Sequence, residues 1–149
     1  MTNGKYKILF MCVANSARSQ LAEGLAKQIF GDRAVIESAG SEPKTPNAIA
    51  IEALKEIGID ISRNTSKAVS DLATDFVVDL DYVITLCAEE VCPVLPSRTA
   101  KKLHWPFPDP AGHAGNHEDN LERFRVTREA IRKRIEDFAL SLTSSATSR

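Results

Sequence analysis

The sequence predicts an α/β fold: a single-domain three-layer sandwich in which a four-stranded parallel sheet carries helices on both faces. Three observations predict it. Short apolar runs rich in strand formers alternate with segments of helical periodicity. The 149 residues, 43% of them hydrophobic, suffice for one core and not for two. No repeat or linker divides the chain, so one domain is expected over residues 5–142.

Residues 6–12 (YKILFMC) form an uninterrupted apolar run and read as a buried strand. Helical spacing follows at Leu21, Ala22, Leu25, Ala26 and Ile29, ended by Gly31. Residues 34–38 (AVIES) are a second strand, closed by Ala39-Gly40. Thr45-Pro46 places an N-cap before a proline at the first helical position, and the apolar face runs through Ala50, Ala53, Leu54 and Ile57 to Gly58, a natural C′ residue. A polar stretch, 62–67, leads to a weaker helix near 70–76. Residues 82–87 (YVITLC) are the third strand and 101–104 the fourth. Residues 106–117, dense in Pro and Gly, are loop. Leu121, Phe124, Ile131, Ile135, Phe138 and Leu142 then mark a long amphipathic helix, with Glu129 and Lys133 spaced for an i,i+4 ion pair. Residues 143–149 are a polar tail expected to fray.

Composition narrows the function. With 19 Lys+Arg against 20 Asp+Glu the net charge is −1, which argues against nucleic acid or an anionic membrane as partner. No apolar run approaches the ~20 residues that span a bilayer, and the first residues lack a secretory pattern. Three cysteines are an odd number for a disulfide framework, so free thiols in a reducing cytoplasm are expected. The protein is expected to be a monomer.

The chemistry concentrates after the first strand. It ends not in a glycine-rich fingerprint but in Cys12-Val13-Ala14-Asn15-Ser16-Ala17-Arg18-Ser19, and a helix opens there. Helix N-terminal amides and the positive dipole end favour a cysteine thiolate. The same amides, wrapped by the loop from Val13 to Arg18, make a cradle for a tetrahedral oxyanion. Arg18 can fold over the bound anion and grip two oxygens, and Ser19 can donate a hydrogen bond to the sulfur. The plainer reading, a buried structural cysteine, leaves the Arg18-Ser19 sequel without purpose.

Cys12 to Ser19 resembles the phosphate-binding loop of the low-molecular-weight protein tyrosine phosphatases and of the arsenate reductases that share their fold. Similar stretches are Gln20-Leu21-Ala22-Glu23, Glu37-Ser38-Ala39-Gly40, Gly58-Ile59-Asp60-Ile61-Ser62, Ile84-Thr85-Leu86-Cys87, and the segment from His104-Trp105 to Asp109-Pro110. The resemblance implies a four-stranded parallel sheet with flanking helices, and Asp109 as the general acid; the alternative is that Pro108-Asp109-Pro110 is only a turn. It also implies a choice of branch. The phosphatases usually place aromatic residues beside the acid, whereas here Ala111-Gly112 follows Asp109-Pro110, with Trp105 and Phe107 just upstream. Thioredoxin-coupled arsenate reductases carry a cysteine pair where this chain has Cys87 and Cys92.

The reductase branch therefore leads, with phosphate-monoester hydrolysis through a cysteinyl-phosphate as the alternative. It implies attack of Cys12 on arsenate, of Cys87 on Cys12, and of Cys92 on Cys87, with phosphate as a competing oxyanion. Neither a cofactor nor a metal is expected. Thioredoxin is the expected reductant, ahead of a glutaredoxin–glutathione system; the five positions from Cys87 to Cys92 are fewer than relatives commonly show. Some relatives bind potassium behind the loop through residues matching Asn15, Glu23 and Ser38 and an aspartate. Lys67 stands where that aspartate would be, so its ammonium is expected to replace the ion and hold Asn15. A surface lysine, a buried Cys87, a zinc site at Cys87, Cys92 and His104, and a redox-sensing module are the plainer or rival readings.

Overall fold

The computed structural model describes residues 5–88, 95, 97 and 99–147. Strands β1 (Tyr6–Cys12), β2 (Ala34–Gly40), β3 (Tyr82–Thr85) and β4 (Lys101–His104) form one sheet in the order β2-β1-β3-β4. Every pairing is parallel. The helices are α1 (Arg18–Phe30), α2 (Ala48–Lys55), α3 (Thr74–Val78) and α4 (His117–Thr147). Among the described residues no helix is long and apolar enough to cross a membrane.

β1 is buried on both faces because each of its alternate side chains meets a different layer. Ile8 and Phe10, with Ile84 of β3, pack under Leu21 and Leu25 of α1, Leu54 of α2 and Phe124, Ile131 and Ile135 of α4. Leu9 and Met11, with Val83, pack on the other face against Phe76 of α3, Leu80 and Leu95. β1, an inner strand, leads at its C-terminal end into the loop 13–17, on the edge where parallel sheets place their ligand sites.

The structure corrects several sequence boundaries. Helix α2 begins at Ala48, not Pro46, because the Asn47 side chain caps it, accepting from the N–H groups of Ile49 (2.8 Å) and Ala50 (3.2 Å). Its exit does use Gly58 at φ +83°, with Gly58 N–H donating to Lys55 O and Ile59 N–H to Leu54 O. The helix expected near 70–76 splits into a 3₁₀ turn, Val69–Asp71, and α3. The Asp71 carboxylate accepts the Ala68 N–H at 2.9 Å at the start of the turn, and Leu72 and Ala73, both extended, separate it from α3. β3 ends at Thr85 rather than Cys87, although Leu86 N–H still donates to Met11 O at 3.0 Å. At the far end α4 runs to Thr147, past Leu142; Ser, Thr and Ala do not break a helix as Gly or Pro does. Lys133 pairs with Asp137 (3.0 Å) instead of Glu129, which Arg128 engages at 2.8 Å.

Candidate active site

Register brings Cys12 level with Gly40 and Met11 level with Thr85, so the loop 13–17 crosses the sheet edge between β2 and β3. Gly40 is required there: a Cβ would lie 2.4 Å from Val13 O and 2.8 Å from Asn15 N. The loop turns through Asn15, buried and left-handed at φ +48°. Asn15 Oδ1 accepts the Lys67 backbone N–H at 2.8 Å, which fixes its amide orientation, because an N–H can only donate. Nδ2 is thereby aimed at Ser19 Oγ (2.8 Å). Ser19 Oγ lies 2.9 Å from Cys12 Sγ, where its hydroxyl can donate to a thiolate, which only accepts. Gln20 Nε2 and Ser66 Oγ both donate to Asn15 O, at 3.1 and 2.6 Å.

A cavity of about 330 Å³ opens above the loop, lined by Cys12, Val13, Ala14, Ser16, Ala17, Arg18, Lys44, Asp109 and Ala111. Arg18 is buried, and Nη1 donates to Phe107 O at 2.8 Å and Leu86 O at 3.5 Å. The guanidinium is thus tethered by carbonyls beyond β3 and β4, its Nη2 3.8 Å from Asp109 Oδ2. Asp109 is 50% exposed at the cavity mouth. Its Oδ1 accepts the Ala111 N–H at 3.0 Å, and its carbonyl accepts from His113 Nε2 at 2.7 Å. No aromatic side chain lines the cavity among the described residues. Trp105 is buried against Phe10 and Phe138, and Phe107 packs on the core.

Behind the loop lies Glu23, almost fully buried, which accepts from Ser38 Oγ. Two ammonium groups face it, Lys27 at 2.7 Å and Lys67 at 3.9 Å, and Lys67 also lies 3.6 Å from Glu37. Two lysines against two carboxylates leave no net negative charge to hold a potassium ion, and the residues do not fit one. The expectation for Lys67 needs one correction: its backbone N–H, not its ammonium, holds Asn15.

Comparison with known proteins agrees with this geometry. The family described as low molecular weight phosphotyrosine protein phosphatase matches residues 7–148. The chain belongs to that family. Within it, the chain is 44% identical over 137 residues to an arsenate reductase of Halalkalibacterium halodurans, covering 91% of this chain and 96% of the relative. A solved arsenate reductase in its phosphate-binding state superposes with a TM-score of 0.74 at 33% identity, over 91% of this chain and 98% of that one. The thioredoxin-dependent arsenate reductase of Corynebacterium glutamicum gives 0.72 at 29% identity, over 97% of this chain and 65% of that one.

The relay cysteines expected in this branch of the family lie after β3. Cys87 is buried and disulfide-bonded, whereas Cys12 is a free thiol, so the Cys87 bond is not to Cys12. Cys92 lies outside the described residues. Leu86, the neighbour of Cys87, bonds both to β1 and to Arg18, so Cys87 leaves the sheet beside the anion loop. Sequence reasoning missed Gln20, Lys27 and Lys44. Lys27 had a signal in its i,i+4 spacing from Glu23; Lys44 had none, because only the path of the 41–47 loop brings it to the cavity.

Proposed function

We propose that this chain reduces arsenate to arsenite, with Cys12 as nucleophile and thioredoxin as the source of electrons in the cytoplasm. One observation carries the reading: an oxyanion cradle without an aromatic wall, next to a second, disulfide-bonded cysteine that is not tied to the first. Cys12 Sγ attacks arsenic, an S–As bond forms, and one arsenate oxygen leaves as water with a proton from Asp109. Arg18 and the loop amides bind the remaining oxygens. Cys87, released when the dithiol reductant opens the disulfide it holds here, then attacks Cys12 Sγ as a thiolate. The S–S bond forms as the S–As pair returns to arsenic, which falls from As(V) to As(III) and leaves as arsenite. Attack by Cys92 on Cys87 frees Cys12 and yields a Cys87–Cys92 disulfide, which a dithiol reductant reopens with two electrons. Ser19 supports the thiolate throughout; Asn15, Glu23, Ser38 and Lys67 hold the loop that presents it. Phosphate, near-isosteric with arsenate, competes for the same cradle.

The test couples arsenate reduction to thioredoxin, thioredoxin reductase and NADPH. The unmodified protein should oxidise NADPH only when arsenate is present, and Cys12→Ser and Cys87→Ser should not. Sustained turnover by Cys87→Ser would overturn the reading.

A further inference from the structure

Lys44 lines the cavity beside the loop 13–17, yet its ammonium has no hydrogen-bond or ion-pair partner among the described residues. Of the two cationic side chains that line the cavity, only Lys44 lacks an anionic partner among the described residues. Lys7, Lys27, Lys67 and Lys133 each meet a carboxylate, and Arg18 lies against Asp109. The backbone that carries Lys44 is built onto the loop. Glu42 N–H donates to Val13 O at 2.8 Å, Lys44 N–H to Ala14 O at 2.9 Å and Asn47 N–H to Ser16 O at 2.9 Å. Ser16 Oγ closes the contact by donating to Thr45 O at 2.9 Å. Four hydrogen bonds therefore hold this segment against the cradle. None of them uses the Lys44 side chain.

The charges of the cavity give that side chain a task. Arg18 supplies one positive charge and the attacking Cys12 thiolate one negative, so these two cancel before any substrate arrives. Asp109, when ionised, adds a further negative charge at the mouth. An incoming arsenate dianion would meet side chains of zero or negative sum, with only the loop amides to attract it. Lys44 tips that sum toward positive, and as an exposed, unpaired cation it is free to swing over the mouth.

We propose that Lys44 is a second cationic ligand for the oxyanion, one that captures the dianion at the cavity mouth. The inference rests on the oxyanion-cradle reading above. Because Lys44 meets the anion before and during reaction alike, it contributes uniform binding, which moves KM and leaves kcat alone.

The test measures inorganic phosphate binding by titration calorimetry, and arsenate kinetics, in Lys44→Ala and Lys44→Arg. Lys44→Ala should weaken phosphate binding and raise the arsenate KM by about three- to tenfold, the effect of one unit charge near a dianion in a solvated site. Its kcat should hold, the rise of KM with ionic strength should flatten, and Lys44→Arg should restore most of the affinity. Equal phosphate affinity and equal salt dependence in Lys44→Ala and the unmodified protein would overturn the role of Lys44 while leaving the cradle standing. Failure of the unmodified protein to bind phosphate would overturn the cradle reading and the inference with it. Lys44 is exposed and its backbone bond is independent of the side chain, so both variants should fold.

Discussion

At the residue scale the site is a chain of fixed hydrogen-bond directions. The Lys67 N–H orients Asn15, Asn15 Nδ2 donates to Ser19, and Ser19 Oγ lies within hydrogen-bond distance of Cys12 Sγ. That Cys12 and Arg18 line one cavity with Ser19 against Cys12 was legible from their spacing after a strand end, and Asp109 beside them from the family resemblance. Gln20 and Lys44 were not, since a side chain that bonds a backbone carbonyl, or reaches a cavity from a distant loop, leaves no periodic trace. Lys67 was legible in its charge and misread in its contact. Its ammonium lies near Glu23 and Glu37, so the pocket behind the loop already holds the positive charge that an ion would bring. Exchanging sodium for potassium at constant ionic strength should therefore leave kcat/KM of the unmodified enzyme unchanged. Lys67→Asp replaces that cation by an anion and keeps the backbone N–H; it should acquire a response to potassium. Several-fold activation of the unmodified enzyme by potassium would contradict this account of Glu23.

At the element scale, α4 is fastened to α2 by charges as well as by its apolar stripe. Glu56, just past α2, accepts from Arg125 at 2.6 Å and from Arg128 at 2.9 Å, and Arg128 also donates to Ala53 O at 2.7 Å. The Arg125 hydrogen bond foremost, with that of Arg128, lowers the Glu56 carboxyl from 4.5 to about 2. The sign follows from the direction. A depressed carboxyl binds its proton more weakly folded than unfolded, so its stabilisation is full above about pH 4.5 and is lost as pH falls toward 2. The side chain is 31% exposed, so solvent screens much of the attraction. Glu56→Gln should lower Tm at pH 7 by about 2–4 °C and lose part of that difference by pH 3, measured by thermal denaturation across pH. An equal Tm deficit at both pH values would show that the pair acts by packing and not by charge. Helix existence was legible here from the spacing of Leu121 to Phe138, but partners were not. The i,i+4 rule named Glu129 and Lys133, while tertiary contact drew Arg128 toward α2 and left its Nε for Glu129.

At the scale of the whole molecule, two functions divide along the chain. The cradle is made almost wholly before residue 68: the loop itself, Gly40, the 41–47 segment, the Ser66 hydroxyl and the Lys67 backbone. Cys87 and Cys92, the thiols proposed to relay the electrons, follow β3 in the sequence. The halves meet at Arg18, whose guanidinium is tied to Leu86 O and Phe107 O, and at Asp109. The parallel topology makes this possible, because every strand delivers its following loop to one edge. The division was legible in outline, since alternating apolar runs and helical periods admit little else. Separable halves should behave separably. Hydrolysis of an aryl phosphate needs the nucleophile, the clamp and the acid, and no electrons. Cys87→Ser and Cys92→Ser should therefore hydrolyse p-nitrophenyl phosphate within about twofold of the unmodified protein, as expected for changes outside the cradle, while Cys12→Ser and Arg18→Ala should not hydrolyse it at all. Reduction needs both halves in order. Cys92→Ser should release about one arsenite per molecule, the stoichiometry of one thiol exchange, and then stop. Mass spectrometry of that product should find a Cys12–Cys87 disulfide. Continued thioredoxin-dependent cycling by Cys92→Ser would show that the resolving thiol is elsewhere, and loss of aryl phosphate hydrolysis in Cys87→Ser would show that the halves are not separable.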